Sequence, residues 1–205
     1  MYAHVSHRGA LLPAASRLDP DANRRLLEWI ASNCTDLDQR ITVMPNRNAP
    51  LDGNAVLKRF SSAGTVEIAR NHPRSPGGPV LSAWPTLDDL AVAIGATPKD
   101  QTVICLEWSE SYQGWASAVG AYNAATDEIE PSIDDELIGD FKFVLQWDSE
   151  IFGGAKRGHG REIIQPTIKK LKNAGLSELF VASYAVGLGA SASIAENLRK
   201  HYREV

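Results

Sequence analysis

The sequence predicts an α/β fold, a small and mostly parallel sheet with flanking helices, completed by a helical C-terminal subdomain. Three observations carry this. The runs Pro79–Trp84 and Thr102–Trp108 are short and almost uninterrupted in apolar character, as in strands covered on both faces. Each run leads into a segment of helical character, so two parallel strands joined by a right-handed crossover follow. From Ile151 onward the chain is first glycine-rich and basic, then helical in its spacing. The division expected is therefore 1–150 for the α/β domain and 151–205 for a basic helical subdomain.

Taken in order, Met1 to Leu18 carries no regular pattern and is expected to be irregular. Asp19-Pro20 starts a helix, with Asp as cap and Pro at the first position. Ala22, Leu26, Leu27 and Ile30 form its buried stripe. Arg40–Met44 is a short strand, and Leu51–Phe60 a short helix with Val56, Leu57 and Phe60 inward. Thr65–Arg70 alternates and belongs at the sheet edge, where an antiparallel setting is admissible. Asn71–Gly78 is a loop, read either as a flap or as a turn into the next strand. In the segment after Trp84, Thr86 caps a helix whose first turn holds Asp88 and Asp89, and Gly95 supplies a left-handed stop. A second helix includes Trp115–Val119. Ser132 caps a third, with Ile133, Leu137, Phe141 and Val144 on one face.

In the C-terminal segment, Ile163, Ile164, Ile168 and Leu171 form an apolar stripe, and Pro166 either kinks that helix or marks its start. Ser177 caps the next helix, which ends at Gly187-Leu188-Gly189. Ser191 or Ser193 caps the last.

Composition narrows the class. With 43% hydrophobic and 22% charged residues, the chain has the makeup of a globular protein with a core. No stretch approaches the roughly 18 apolar residues of a membrane span, and no secretory core precedes the first helix, so a cytoplasmic setting without membrane contact is expected. Cys34 and Cys105 fit reduced thiols. The net charge of −4 is unevenly spread, for residues 1–150 carry 12 Lys+Arg against 21 Asp+Glu, and residues 151–205 carry 9 against 4.

Walker, Gly-x-Gly-x-x-Gly, Gly-x-Ser-x-Gly, His-Glu-x-x-His and Cys-x-x-Cys patterns are all absent, so no cofactor is expected. His4 and His7 form His-x-x-His with no third ligand nearby, and no metal is expected there either. Three weaker constellations remain. Glycines at 153, 154, 158 and 160 interleave with Lys156, Arg157, His159 and Arg161 ahead of a helix, a setting suited to phosphate. Lys169, Lys172, Arg199 and Lys200 extend that positive character, and the last two helices resemble a helix-turn-helix in outline, with an ordinary helical hairpin the stronger reading. The third constellation lies beyond the carboxyl ends of the central strands, where Trp84, Trp108, Ser109 and Tyr112 line a candidate pocket and Glu107 is a candidate acid–base group.

The leading expectation is a binding protein whose basic C-terminal helices contact a nucleic-acid backbone or an acidic partner. The alternatives are a small enzyme acting on a phosphorylated or carboxylated metabolite, and a structural subunit of a complex presenting Trp108 and Trp115.

Overall fold

The computed structural model describes residues 7–51, 53–146 and 157–205, with the side chains of the last stretch described from 162 onward. Its strands are β1 (Arg8–Leu12), β2 (Ile41–Met44), β3 (Thr65–Ile68), β4 (Val80–Ala83), β5 (Thr102–Leu106), β6 (Tyr122–Asn123) and β7 (Glu128–Ile129). Its α-helices are α1 (Pro20–Asn33), α2 (Ala55–Ser61), α3 (Leu87–Ala96), α4 (Gln113–Val119), α5 (Asp135–Gln146), α6 (Arg157–Asn173), α7 (Glu178–Gly187) and α8 (Ala192–Glu204). The sheet runs β3-β2-β4-β5-β1-β6-β7, and only the β6–β7 pair is antiparallel. The α/β class is therefore as expected, with a helical C-terminal region. Among the described residues no helix is long and apolar enough to cross a membrane.

Packing divides the chain into two compact units, one comprising 6–111 and 119–130, the other 1–5, 112–118 and 131–205. In the sheet unit, alternate strand residues face opposite ways. Ala10, Leu12, Leu81, Ala83, Ile104 and Leu106 meet Leu26 and Ile30 of α1 and Val56, Leu57 and Phe60 of α2. Ile41, Val43 and Val80 turn to Ala93 and Ala96 of α3 on the other face. Both faces are dry, which explains why the strands read as unbroken apolar runs.

Three expectations about this unit are corrected. Residues 8–12 are not irregular but form β1, hydrogen-bonded to β5 on one side and β6 on the other. The strand is short, and Gly9 within it is a close-approach position, since a Cβ there would lie 2.6 Å from Val119 Cγ2 and 2.8 Å from Ala121 Cβ. The edge strand β3 lies parallel to β2, not antiparallel, because α2 returns the chain to the sheet's starting end before β3 begins. Gly95 does not stop α3, which continues through it to Ala96 with Thr97 as an extended C-cap. At the other end of α3 the sequence reading holds: Thr86 accepts from the Asp89 N–H and Asp89 accepts from the Thr86 N–H, a reciprocal capping box.

The helical unit packs Phe141, Val144 and Leu145 of α5 against Ile164, Ile168 and Leu171 of α6, Val181 and Tyr184 of α7, and Leu198 of α8. Ser132 does not cap α5; its hydroxyl donates to the Ile133 carbonyl, and the helix begins at Asp135. Pro166 lies inside α6, not at its start, and the buried stripe of Ile164, Ile168 and Leu171 continues past it. Ser177 caps α7 as its sequence context predicts, and of the two candidates for α8 it is Ser191, not Ser193, that caps it. In α8, Arg199 and Arg203 reach back to Glu178 in the first turn of α7, at 3.3 and 2.5 Å, so the two helices close as an antiparallel hairpin. Arg203 and Arg199 hold the Glu178 carboxyl down to about 2.

Candidate functional site

The site lies beyond the carboxyl ends of β1, β4 and β5, and strand register builds it. Leu12 and Ala83 both stand opposite Leu106, and the ladder continues one step further: the Glu107 N–H donates to the Leu12 carbonyl and the Trp84 N–H to the Leu106 carbonyl. The residues that follow each strand therefore emerge side by side. Helix α2, after β2, packs on one face of the sheet and α3, after the neighbouring β4, packs on the other. Connections that part to opposite faces open a crevice, the usual place for a ligand in a sheet of this kind.

Two tryptophans occupy that edge. Trp84 meets Trp108 edge to face with ring centroids 5.3 Å apart. The Trp84 backbone takes φ 52°, the left-handed region that a bulky residue rarely adopts and that costs about 1–3 kcal/mol. Its indole is held against the start of α2, where a Cβ on Gly53 would sit 3.4 Å from Trp84 Cη2. Trp108 is 52% exposed, and the Arg17 guanidinium stacks on it at 4.7 Å from the ring centroid.

Arg17 is set by its backbone. Its carbonyl accepts from Asn54 Nδ2 at 2.8 Å and from Asn23 Nδ2 at 3.1 Å, while Asn54 Nδ2 also donates to Asn23 Oδ1 at 2.7 Å. Asn54 is at the same time the N-cap of α2, accepting from the Leu57 N–H. Arg17 Nη1 donates to the Ala14 carbonyl, and Nε is buried without a hydrogen-bond partner. Asn54→Ala removes the cap and two amide donors together. We expect it to lower stability by about 2 kcal/mol, read as a shift of the denaturant midpoint.

Glu107 is 2% exposed. Its Oε2 accepts from the Ala14 N–H at 3.2 Å, across from β5 to the loop after β1. The geometry makes it a strap on the segment that carries Arg17, and its burial sets it back from the exposed edge.

The structure brings Trp84, Trp108 and Glu107 together, with Ser109 exposed beside them. It does not bring Tyr112, which is fully buried and packs with the helical unit. Trp115 is fully buried too, so it presents no surface to a partner. The residues that sequence reasoning missed are Arg17, Asn23 and Asn54. Asn54 carried a local signal, an Asn ahead of Val56, Leu57 and Phe60, whereas nothing local marks Arg17, after β1, as a partner for a tryptophan that follows β5.

Of the basic candidates, Lys156 lies outside the described residues, as does His4, and of Arg157, His159 and Arg161 only the backbone is described, in the first turns of α6. Lys169 and Lys200 are exposed. Lys172 Nζ lies 5.2 Å from the Tyr202 ring, and Arg199 pairs with Glu196 at 2.8 Å as well as with Glu178. Neighbouring Lys170 pairs with Glu136 and Asp140 of α5 at 2.6 and 2.9 Å. Residues 131–205 hold 10 Lys+Arg and 10 Asp+Glu, so the compact helical unit containing the basic segment carries no net charge. Among the described residues no group of His, Cys, Asp or Glu is arranged to hold a metal ion.

Comparison with protein-family models, with curated proteins and with solved structures finds no match.

Proposed function

We propose that the sheet unit is a ligand-binding domain that takes a small anionic compound carrying a planar ring at its carboxyl edge. The observation that carries this is the Arg17–Trp108–Trp84 stack. An arginine whose backbone is tied by two buried amides lies on a half-exposed indole, and that indole rests on a tryptophan in a costly backbone conformation. Strain of this kind persists where surrounding structure over-determines it, and it concentrates at ligand sites. A guanidinium offers a planar fork to phosphate or carboxylate, and a half-exposed indole offers stacking area to a ring. Glu107 serves this site as a positioning residue, holding the loop after β1.

Contact of the C-terminal segment with nucleic acid draws less support. Its positive charge is matched within its own compact unit, and long-range attraction of a polyanion depends on charge left unmatched.

Calorimetric titration with nucleoside phosphates and aromatic carboxylates tests the reading. Arg17→Ala and Trp108→Ala are each expected to weaken the binding of the best compound at least about tenfold, or about 1.4 kcal/mol, with the melting temperature held. Glu107→Gln keeps an oxygen for the Ala14 N–H and is expected to bind within a factor of about two of wild type. A compound bound equally by wild type, Arg17→Ala and Trp108→Ala would overturn the assignment, as would a panel in which nothing binds.

A further inference from the structure

A cleft of about 780 Å3 lies between α1 and α2, and Arg17, Asn23 and Asn54 of the site above are among the residues that line it. Its volume lies within the roughly 300–1,000 Å3 of small-molecule sites. Its floor is apolar: Leu27 and Leu37 are only partly covered by the core they pack on, and Phe60 closes the base.

The rim is different. Arg17, Arg24, Arg40 and Arg59 all line the cleft, with Glu28 the one acid among the described residues. The sheet unit as a whole has 11 Lys+Arg against 15 Asp+Glu, so the cleft concentrates positive charge within a unit that is negative overall. Arg24 is neutralised locally by Asp21 and Glu28 at 3.3 and 3.2 Å. Arg40 instead donates to the carbonyls of Phe60 and Leu37 and lies over the Phe60 ring, which fixes its position and leaves its charge uncancelled. Among the described residues no carboxylate pairs with Arg17, Arg40 or Arg59.

We infer that this cleft binds a single-chain amphiphilic anion, an alkyl chain ending in a phosphate or carboxylate, with the chain on Leu27, Leu37 and Phe60 and the head group at Arg59. An apolar floor alone would accept any hydrophobic chain, and cations alone any anion; the juxtaposition selects a molecule that is both. Arg59 is exposed in the last turn of α2 and free to turn to a head group, whereas Arg40 is committed to holding Phe60.

The test is calorimetric titration of the full chain with octyl phosphate below its micelle concentration, beside octanol and octyltrimethylammonium as neutral and cationic counterparts. Two variants accompany it: Arg59→Glu, which reverses the charge at the head group, and Ala31→Trp, which fills the cleft from an exposed position on α1. Octyl phosphate is expected to saturate one site, and the counterparts to bind at least about tenfold more weakly. Arg59→Glu is expected to lose at least about tenfold in affinity and Ala31→Trp to lose binding, both with circular dichroism unchanged. No saturable binding, equal affinity for octanol, or variants that bind as wild type does would each overturn the inference. Arg17 lines this cleft and also serves the carboxyl-edge site, but neither variant alters Arg17, Trp84 or Trp108, so a variant that binds octyl phosphate as wild type does would count against the cleft alone.

Discussion

Gly114→Ala is expected to destabilise the helical unit by about 3 kcal/mol or more, enough to consume much of the stability of a small domain. The reason is a close helix crossing. A Cβ on Gly114, in α4, would fall inside the van der Waals shell of the Phe180 carbonyl oxygen in α7 and lie 2.6 Å from Ser183 Oγ. A side-chain obstacle can change rotamer, but a carbonyl of a packed helix moves only with its helix. Gly187 at the end of α7 marks the same approach, for a Cβ there would lie 2.6 Å from Ala118 Cβ. A melting experiment on Gly114→Ala checks this, with Gly139→Ala as control, since nothing lies within 4 Å of a Cβ at that position. The control is expected to hold or gain up to about 1 kcal/mol, as glycine-to-alanine changes in helices do. Equal melting temperatures for the two variants would show that α4 and α7 do not meet as described.

Acid is expected to unfold the sheet unit through His7. This ring is buried just ahead of β1, and burial lowers its pKa from the ordinary 6.5 to about 4. The folded state therefore holds His7 neutral where the unfolded chain binds a proton. The stability it contributes is fully present above pH 6.5 and falls as pH drops from there toward 4, by about 3 kcal/mol over the whole window. Glu178 acts in a lower window: its carboxyl sits at about 2 when folded, so the stability of its arginine pairs is lost as pH falls from about 4.5 toward 2. Urea unfolding at pH 7, 5.5 and 4.5 separates the two. His7→Leu is expected to flatten the dependence between pH 6.5 and 4.5, and a variant as steep as wild type would remove His7 from this role.

Local signals were legible and long-range ones were not. The helix starts at Asp19, Thr86, Ser177 and Ser191 could be read because a cap and the N–H it satisfies lie within three residues of each other. The central pair β4–β5 could be read because burial on both faces leaves an apolar run. Strand β1 is buried from Gly9 onward, but its charged Arg8, its Gly9 and its place at the head of the chain hid it. Of the candidate site, Trp84, Trp108 and Glu107 were recoverable from their positions after strands. Arg17 was not, since its stacking on Trp108 depends on β1 lying beside β5.

The sequence by itself determined the α/β class, the helix boundaries set by caps and the apolar stripes that had to be buried. Only the tertiary structure decided the strand order, and with it which strand ends meet at the carboxyl edge. It also decided the charge balance, because acidic α5 and basic α6 share one packed unit and Lys170 sits between Glu136 and Asp140. Hydrophobic periodicity acts over one or two turns of chain, whereas pairing between distant segments is chosen by how whole faces fit, and no short window of sequence records that fit.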